Sequence, residues 1–436
     1  MYTFVNSSTQ LINMLTKEKR DAIASLINLE VTPAIGCTEP IAVALAVAKT
    51  KELLGAVPDR IELKLSANIL KNAMGVGIPG TGMIGLPIAI AMGALVGKSE
   101  YGLEVLKDIS PESLELGKLL IESMPVDIQL KTDISEKLFV EVISNKGQDK
   151  AHVIISRNHD RFSYIAMNNE VILKLDEAFS SDGKPTDLEL SFDIVCEFAL
   201  ESPIDELRFI LKTVEVNKAA AIESLKGAYG HSIAHTLAGG IMGNTVYAHM
   251  LSITAAACDA RMAGAMFPVM SNSGSGNQGI AATLPVSVYA EETGKSEDEL
   301  IRALILSHLM TIYMKQSLGR LSGLCGAVVA TTGSSCGITY LMGGTREQIG
   351  FSIKNMIGNI TGMICDGAKP SCALKVSNGV STAAISSLMA MENKVISSVE
   401  GITDESVDKT ILNLTKIGSV GMLETDKIIL DIMTHK

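Results

Sequence analysis

Three stretches of this 436-residue chain, Asn72 to Gly97, Met262 to Ala290 and Leu321 to Thr345, each run for about 25 residues without one charged side chain. A run of that kind has to leave water, either into a bilayer or into a protein core. These runs contain GVGIPGTGMIGLP, SNSGSGNQG and TTGSSCG, whose Gly, Pro, Ser, Asn and Thr residues would put loops at membrane depth. No Lys/Arg-rich flank supplies an orientation signal. We therefore read them as buried loop-helix segments gathered around a site, with no membrane association.

The rest of the composition agrees. Hydrophobic residues make up 47% and charged residues 19% of the chain, which excludes disorder. Trp is absent and aromatics reach only 4%, so the core has to be built from Ala, Ile, Leu, Val, Met and close Gly contacts. The length points to two domains rather than one core. A net charge of −11 with no basic stripe argues against nucleic acid and leaves a small molecule as the expected partner. The opening MYTFVNSSTQLINMLTKEKRD lacks a secretory pattern, so the expected location is cytoplasmic. A homo-oligomer, as a dimer, is expected on size and solubility alone.

Periodicity divides the chain into a helical protein carrying an insertion. LTKEKRDAIASLINLEV reads as helix, and PIAVALAVAKTKELLG begins with Pro40 in a first turn and stops at Gly55. From Asp59 to Ile172 the texture alternates: RIELKLSANI, VDIQLKT, LFVEVIS, AHVIISR and FSYIAMNN read as strands, with turns at Asn145-Lys146-Gly147 and Asn158-His159-Asp160. Helical spacing returns after Lys184-Pro185-Thr186. The expected class is α+β, a mainly helical catalytic domain (1–57 and 184–436) with an inserted α/β module (58–183).

Seven cysteines, an odd number without a secretory leader, point away from a disulfide framework. Cys325, Cys365 and Cys372 lie in Gly-rich, nearly charge-free segments and suit three ligands of an iron–sulfur cluster or a soft metal, or else three small buried side chains. Cys196, Cys258 and Cys336 read as packing. Cys37 precedes a helix, where the dipole favours a thiolate, and is read as a base, a fourth ligand or a buried thiol. Glu39 is an alternative base or a helix cap. In Ser271–Gly279 the free amides around Ser273, Gly274, Ser275 and Asn277 suggest a cradle for a substrate carboxylate, or a tight turn; the GxGxxG match there lacks the βαβ context of a dinucleotide site. Asn68 and Lys71 are candidate substrate contacts. His231 and His235, four apart and so on one helix face, are candidate site-lining residues.

GCTEPIAVALA, KNAMGVGIPGTGMIGLPIAIAMGAL, SNSGSGNQGIAATLPV, CGAVVATTGSSCGITYLMGG and GMICDGAKPSCALKV, in this order along nearly the whole chain, resemble the signature segments of the L-cysteine desulfidase family, which is related to the α part of bacterial iron–sulfur L-serine dehydratases. The resemblance implies a [4Fe–4S] enzyme that degrades L-cysteine to hydrogen sulfide, ammonia and pyruvate without pyridoxal phosphate. It places the cluster ligands at Cys325, Cys365 and Cys372 and the catalytic acid/base at Cys37. Rival readings are an L-serine dehydratase with the same cluster, a pyridoxal-phosphate lyase using Lys71 or Lys315, and a non-catalytic cluster-bearing sensor.

Overall fold

The computed structural model describes residues 15–132, 134, 136–175, 188–237, 242–319 and 321–435. The first helix is α1 (Lys17–Glu30), followed by a two-residue strand β1 (Pro33–Ala34) and α2 (Thr38–Leu54). The module then runs β2 (Arg60–Leu65), α3 (Ala67–Ala73), α4 (Leu86–Leu95), α5 (Pro111–Ser123), β3 (Val126–Leu130), β4 (Phe139–Lys146), β5 (Asp149–Ser156), β6 (Phe162–Met167) and β7 (Glu170–Lys174). The helical body continues with α6 (Phe192–Glu201), α7 (Leu211–Leu225), α8 (Ile233–Leu237), α9 (Val246–Met262), β8 (Val269–Met270), α10 (Gly276–Glu292), α11 (Glu297–Leu318), α12 (Gly326–Leu341), α13 (Arg346–Ile360), α14 (Cys372–Met391), α15 (Val407–Lys416) and α16 (Leu423–Thr434).

The architecture is α+β. Six strands form one sheet in the order β3-β2-β4-β5-β6-β7, with only β2 and β3 parallel, and β1 pairs antiparallel with β8. Two departures from the sequence pattern are local. Ser66 takes an extended conformation and caps α3, so the strand in RIELKLSANI ends at Leu65 and Asn68 and Lys71 are helical. Asn168 and Asn169 both have positive φ and turn the chain into β7, a strand that the alternation in FSYIAMNN does not reveal.

Among the described residues two large apolar cores and one small cluster, around Ala220, Ala256 and Ile280, organise the chain. One large core is built from the helical body, and the other from the sheet with α4 and the buried side chains Ile41 to Ala48 of α2. The Ala- and Val-rich surface of α2, which precedes the expected boundary at 57/58, thus packs with α4 and the sheet. The far boundary, at 183/184, lies outside the described residues.

The charge-free runs are buried as expected, and no helix among the described residues is long and apolar enough to cross a membrane. TTGSSCG is not a loop, however, but the middle of α12. Its hydroxyls bond back along the helix, Thr331 Oγ1 to the Ala327 carbonyl and Thr332 Oγ1 to that of Val328, both at 2.7 Å, which satisfies them without water. Gly333 and Gly337, one turn apart, let α11 close in: a Cβ would stand 2.4 Å from the Ser307 carbonyl oxygen or 2.7 Å from that of Ala303.

A buried polar column holds the segment before α10. Asn272 Nδ2 donates to His308 Nδ1 at 3.1 Å, which leaves the His308 Nε2–H to donate to Thr283 Oγ1 at 3.0 Å, and Asn217 joins Thr283 to the β8 backbone. Complete burial pushes His308 down to about 3, so the ring is neutral. Its folded pKa lies below the unfolded value near 6.5, so its contribution is complete above that value and is lost as pH falls toward 3. Between pH 7 and pH 5 the wild type should lose about 2 kcal/mol more than His308→Gln, measured as urea denaturation at the two pH values.

Candidate functional site

A cleft of about 130 Å³ opens between the module and the helical body. Four helix N-termini border it. Cys37 is the N-cap of α2, Ser275 of α10 and Cys325 of α12, while Cys372 is the first residue of α14, and all four line the cleft. Such ends present unpaired amides and a partial positive charge.

The three late cysteines share one wall. Cys325 and Cys365 are pinned side by side by backbone bonds from Cys325 N to the Met363 carbonyl (2.9 Å) and from Cys365 N to the Gly323 carbonyl (2.8 Å). Cys365 and Cys372 join through a loop braced from within: Lys375 Nζ donates to the Ile364 carbonyl at 2.8 Å and pairs with Asp366, and Lys369 Nζ donates to the Asp366 carbonyl at 3.0 Å. Gly367, at φ +92°, presses that loop onto α3, where a Cβ would stand 2.4 Å from the Lys71 carbonyl oxygen. Burial, and then the neighbouring Cys365, push the Cys325 thiol up to about 12. Burial also raises Cys372.

Across the cleft sits a thiol–carboxylate pair. Cys37 Sγ donates to Glu39 Oε2 at 2.8 Å, Asn72 Nδ2 donates to Oε1 at 3.0 Å, and Thr38 Oγ1 approaches Oε2 at 3.3 Å. Burial, reinforced by the Glu39 charge, holds the Cys37 pKa well above the ordinary thiol value, which overrides the expected helix-end effect. Burial alone would raise Glu39 as well; His159, the Cys37 thiol, the backbone amide and Arg261 together outweigh it and hold the carboxyl below its usual range. In the resting site the proton is on sulfur and the negative charge on Glu39.

Ser273 and Gly274 both have positive φ, and Asn272 and Ser275 exchange backbone bonds of 3.1 and 3.0 Å around them. The segment is thus a tight turn that delivers Ser275 and Asn277 to the cleft.

Cys37, Glu39, Ser273, Gly274, Ser275, Asn277, Cys325, Cys365 and Cys372 all line this one cleft, whereas Asn68, Lys71, His231 and His235 do not. Lys71 is buried behind the wall, donating to the Cys365 carbonyl at 3.1 Å and paired with Asp426; it anchors the loop rather than facing a ligand. Asn68 lies one turn before Asn72 on the same helix, buried. His231 is not helical, because Ser232 turns left-handed before α8 begins, and exposed His235 bonds the Gly227 carbonyl. The cleft is also lined by Asn72, by Gln278, which the sequence reading has only as part of the Ser271–Gly279 cradle, and by two residues to which that reading gives no role, Arg261 and His159, the last from the β5–β6 turn and within contact of Thr38 at 3.4 Å. Arg261 alone carried a signal: it is the charge at the edge of the second charge-free run.

Among the described residues no group of three or more His, Cys, Asp or Glu side chains converges to hold a single metal ion. A cluster makes a different demand, since each thiolate takes a separate iron and the sulfurs stand around a space rather than a point. Three thiols bordering one cleft, two at helix N-termini and with Lys369 and Lys375 behind them, fit that demand.

A UPF0597 protein of Bacteroides fragilis is 63% identical to this chain over 426 residues, covering 97% of it and all of the relative. UPF0597 proteins of Porphyromonas gingivalis (52% over 424 residues, 95% of this chain and 98% of the relative) and Aeromonas hydrophila (43% over 422 residues, 94% and 95%) are similar end to end. The family model described as serine dehydratase alpha chain matches residues 100–431, a span that holds the three late cysteines, the turn before α10 and Arg261. The chain belongs to the serine dehydratase alpha chain family.

Proposed function

We propose that this protein is a cytoplasmic iron–sulfur lyase that removes the β-substituent of a small L-amino acid, with L-cysteine as substrate and hydrogen sulfide, ammonia and pyruvate as products. The observation that carries the proposal is the meeting, across one cleft, of Cys325, Cys365 and Cys372 with the Cys37–Glu39 pair. The three cysteines would hold a [4Fe–4S] cluster, which when bound supplies a Lewis-acidic iron to the leaving sulfur.

The chain's own groups account for the proton. Cys37 takes the substrate's α-proton while passing its thiol proton to Glu39, so the pair ends as thiol and carboxylic acid and no free thiolate has to exist in the buried site. The electron pair of the Cα–H bond forms the Cα=Cβ bond as the Cβ–S bond breaks and its pair leaves with sulfur. The aminoacrylate tautomerises to its imine and takes up water, giving pyruvate and ammonia. Asn72, donating to Glu39 Oε1, keeps the carboxylate turned so that Oε2 faces the thiol.

A second reading has its own support: the family description names serine dehydratase, and the same relay would expel hydroxide from L-serine. The two differ in the leaving group alone. Anaerobically reconstituted protein should release equal amounts of sulfide and pyruvate from L-cysteine; pyruvate from L-serine at a higher kcat/KM would assign the second reading, and no turnover of either would defeat both.

Exchanging Cys325, Cys365 or Cys372 singly for Ser should abolish the broad brown absorption after reconstitution, whereas Cys336→Ser, buried inside α12, should keep it. In Cys37→Ser and Glu39→Gln the absorption should persist and kcat should fall by about a hundredfold or more. A bleached cluster in Cys37→Ser would make that thiol a ligand instead.

A further inference from the structure

The relay handles a proton but says nothing of how a free amino acid is recognised, and two lining residues it does not use carry matching vacancies. Arg261 is 5% exposed and Gln278 is 2% exposed. Four buried side-chain polar atoms lack any partner among the described residues, and two of them, Arg261 Nε and Gln278 Oε1, belong to residues of this cleft.

Their surroundings make the vacancies costly. A guanidinium carries five N–H donors, yet the one side chain found to accept from Arg261 is Asn277, through Oδ1 at 3.0 Å. No carboxylate among the described residues forms a close ion pair with it, so the charge of this buried cation is met only at longer range, by Glu39. Glu39, which feels its field, is itself turned toward Cys37 and Asn72. Gln278 Nε2 donates to the Asn272 carbonyl at 3.0 Å, which fixes the amide so that Oε1 is the open acceptor. That oxygen packs against Gly326, the residue following Cys325, and so lies on the cysteine side of the cleft.

A buried donor cation and a buried acceptor lining one cleft match the two ends of a zwitterion. We propose that Arg261 binds the α-carboxylate and Gln278 Oε1 accepts from the α-ammonium of a free amino acid, so that the cleft selects against esters, amides, N-acylated forms and peptides. The proposal rests on the lyase reading only for which amino acid is turned over. The Ser273-Gly274-Ser275 turn, assigned to the carboxylate on sequence, then positions Asn277 to hold the guanidinium in place.

Binding of an unreactive zwitterion tests recognition without chemistry. L-alanine, L-alaninamide and N-acetyl-L-alanine are titrated into the cluster-loaded protein and followed by saturation-transfer NMR. L-alanine should bind at least about tenfold more tightly than either derivative, because each derivative removes one of the two ligand charges and so weakens a charge-assisted bond in the buried site. In Arg261→Lys, L-alanine should weaken by about tenfold while the amide is unaffected; in Gln278→Leu the penalty for N-acetylation should disappear. Equal binding of all three ligands to the wild type overturns the proposal, and this comparison stands even where a variant does not fold. Selective binding of L-alanine by a protein that turns over neither cysteine nor serine would uphold the clamp and reject the lyase reading.

Discussion

Four helix N-termini meeting at one cleft is the arrangement on which the rest of this structure depends. α2, α10, α12 and α14 each bring their unpaired amides and the positive end of their dipole to the same place. Such a place is suited to negative charge, whether thiolate sulfur, carboxylate or a substrate anion, and it achieves this with few formal cations. The arrangement also explains the charge-free runs. Helices that converge end-on have to lie close along their length, and the Ser, Thr and Gly residues of α12 give a thin surface whose hydroxyls satisfy themselves.

The cleft is also the seam between the two large cores. Glu39 on α2, Asn72 and His159 come from the side of the module, while the late cysteines, Arg261 and Gln278 come from the helical body. The seam needs a tie, and Lys71 supplies one: from α3 of the module it reaches the Cys365 carbonyl and Asp426 of α16. A residue that touches no ligand thus fixes the height of one candidate ligand loop. Removing the amine while leaving Asp426 would strand a carboxylate at the seam, so the effect of Lys71 on the site is inseparable from its effect on docking of the module.

What the sequence makes legible follows from range. Helix ends such as Gly55 at the α2 C-cap, with φ +68°, are set by neighbours and are read from spacing. The gathering of Cys37 with Cys325, Cys365 and Cys372 is set by packing over hundreds of residues, and no periodicity encodes it; the long motifs are what tied them together. His159 is invisible for the same reason, being an ordinary turn residue until the sheet is docked. The His231–His235 pair misleads because the helix its spacing implies is cut by the left-handed Ser232. The direction of the Cys37 pKa is missed because a helix N-cap lowers a thiol only while burial and a neighbouring carboxylate are absent.

The vacancies at Arg261 Nε and Gln278 Oε1 carry a cost that the scaffold must absorb. Each buried unpaired polar atom destabilises a fold by about 1 to 3 kcal/mol, a sizeable part of the 5 to 15 kcal/mol that holds a typical protein together. The cost falls where the structure tolerates it, next to the bonded column of Asn217, Asn272, Thr283 and neutral His308, which holds the turn before α10, and through the Asn272 carbonyl Gln278 Nε2, in place. A softer support would relax until the two atoms were satisfied by the protein itself, and the cleft would lose its affinity for anything else. Rigidity behind the wall is therefore what keeps the wall unsatisfied.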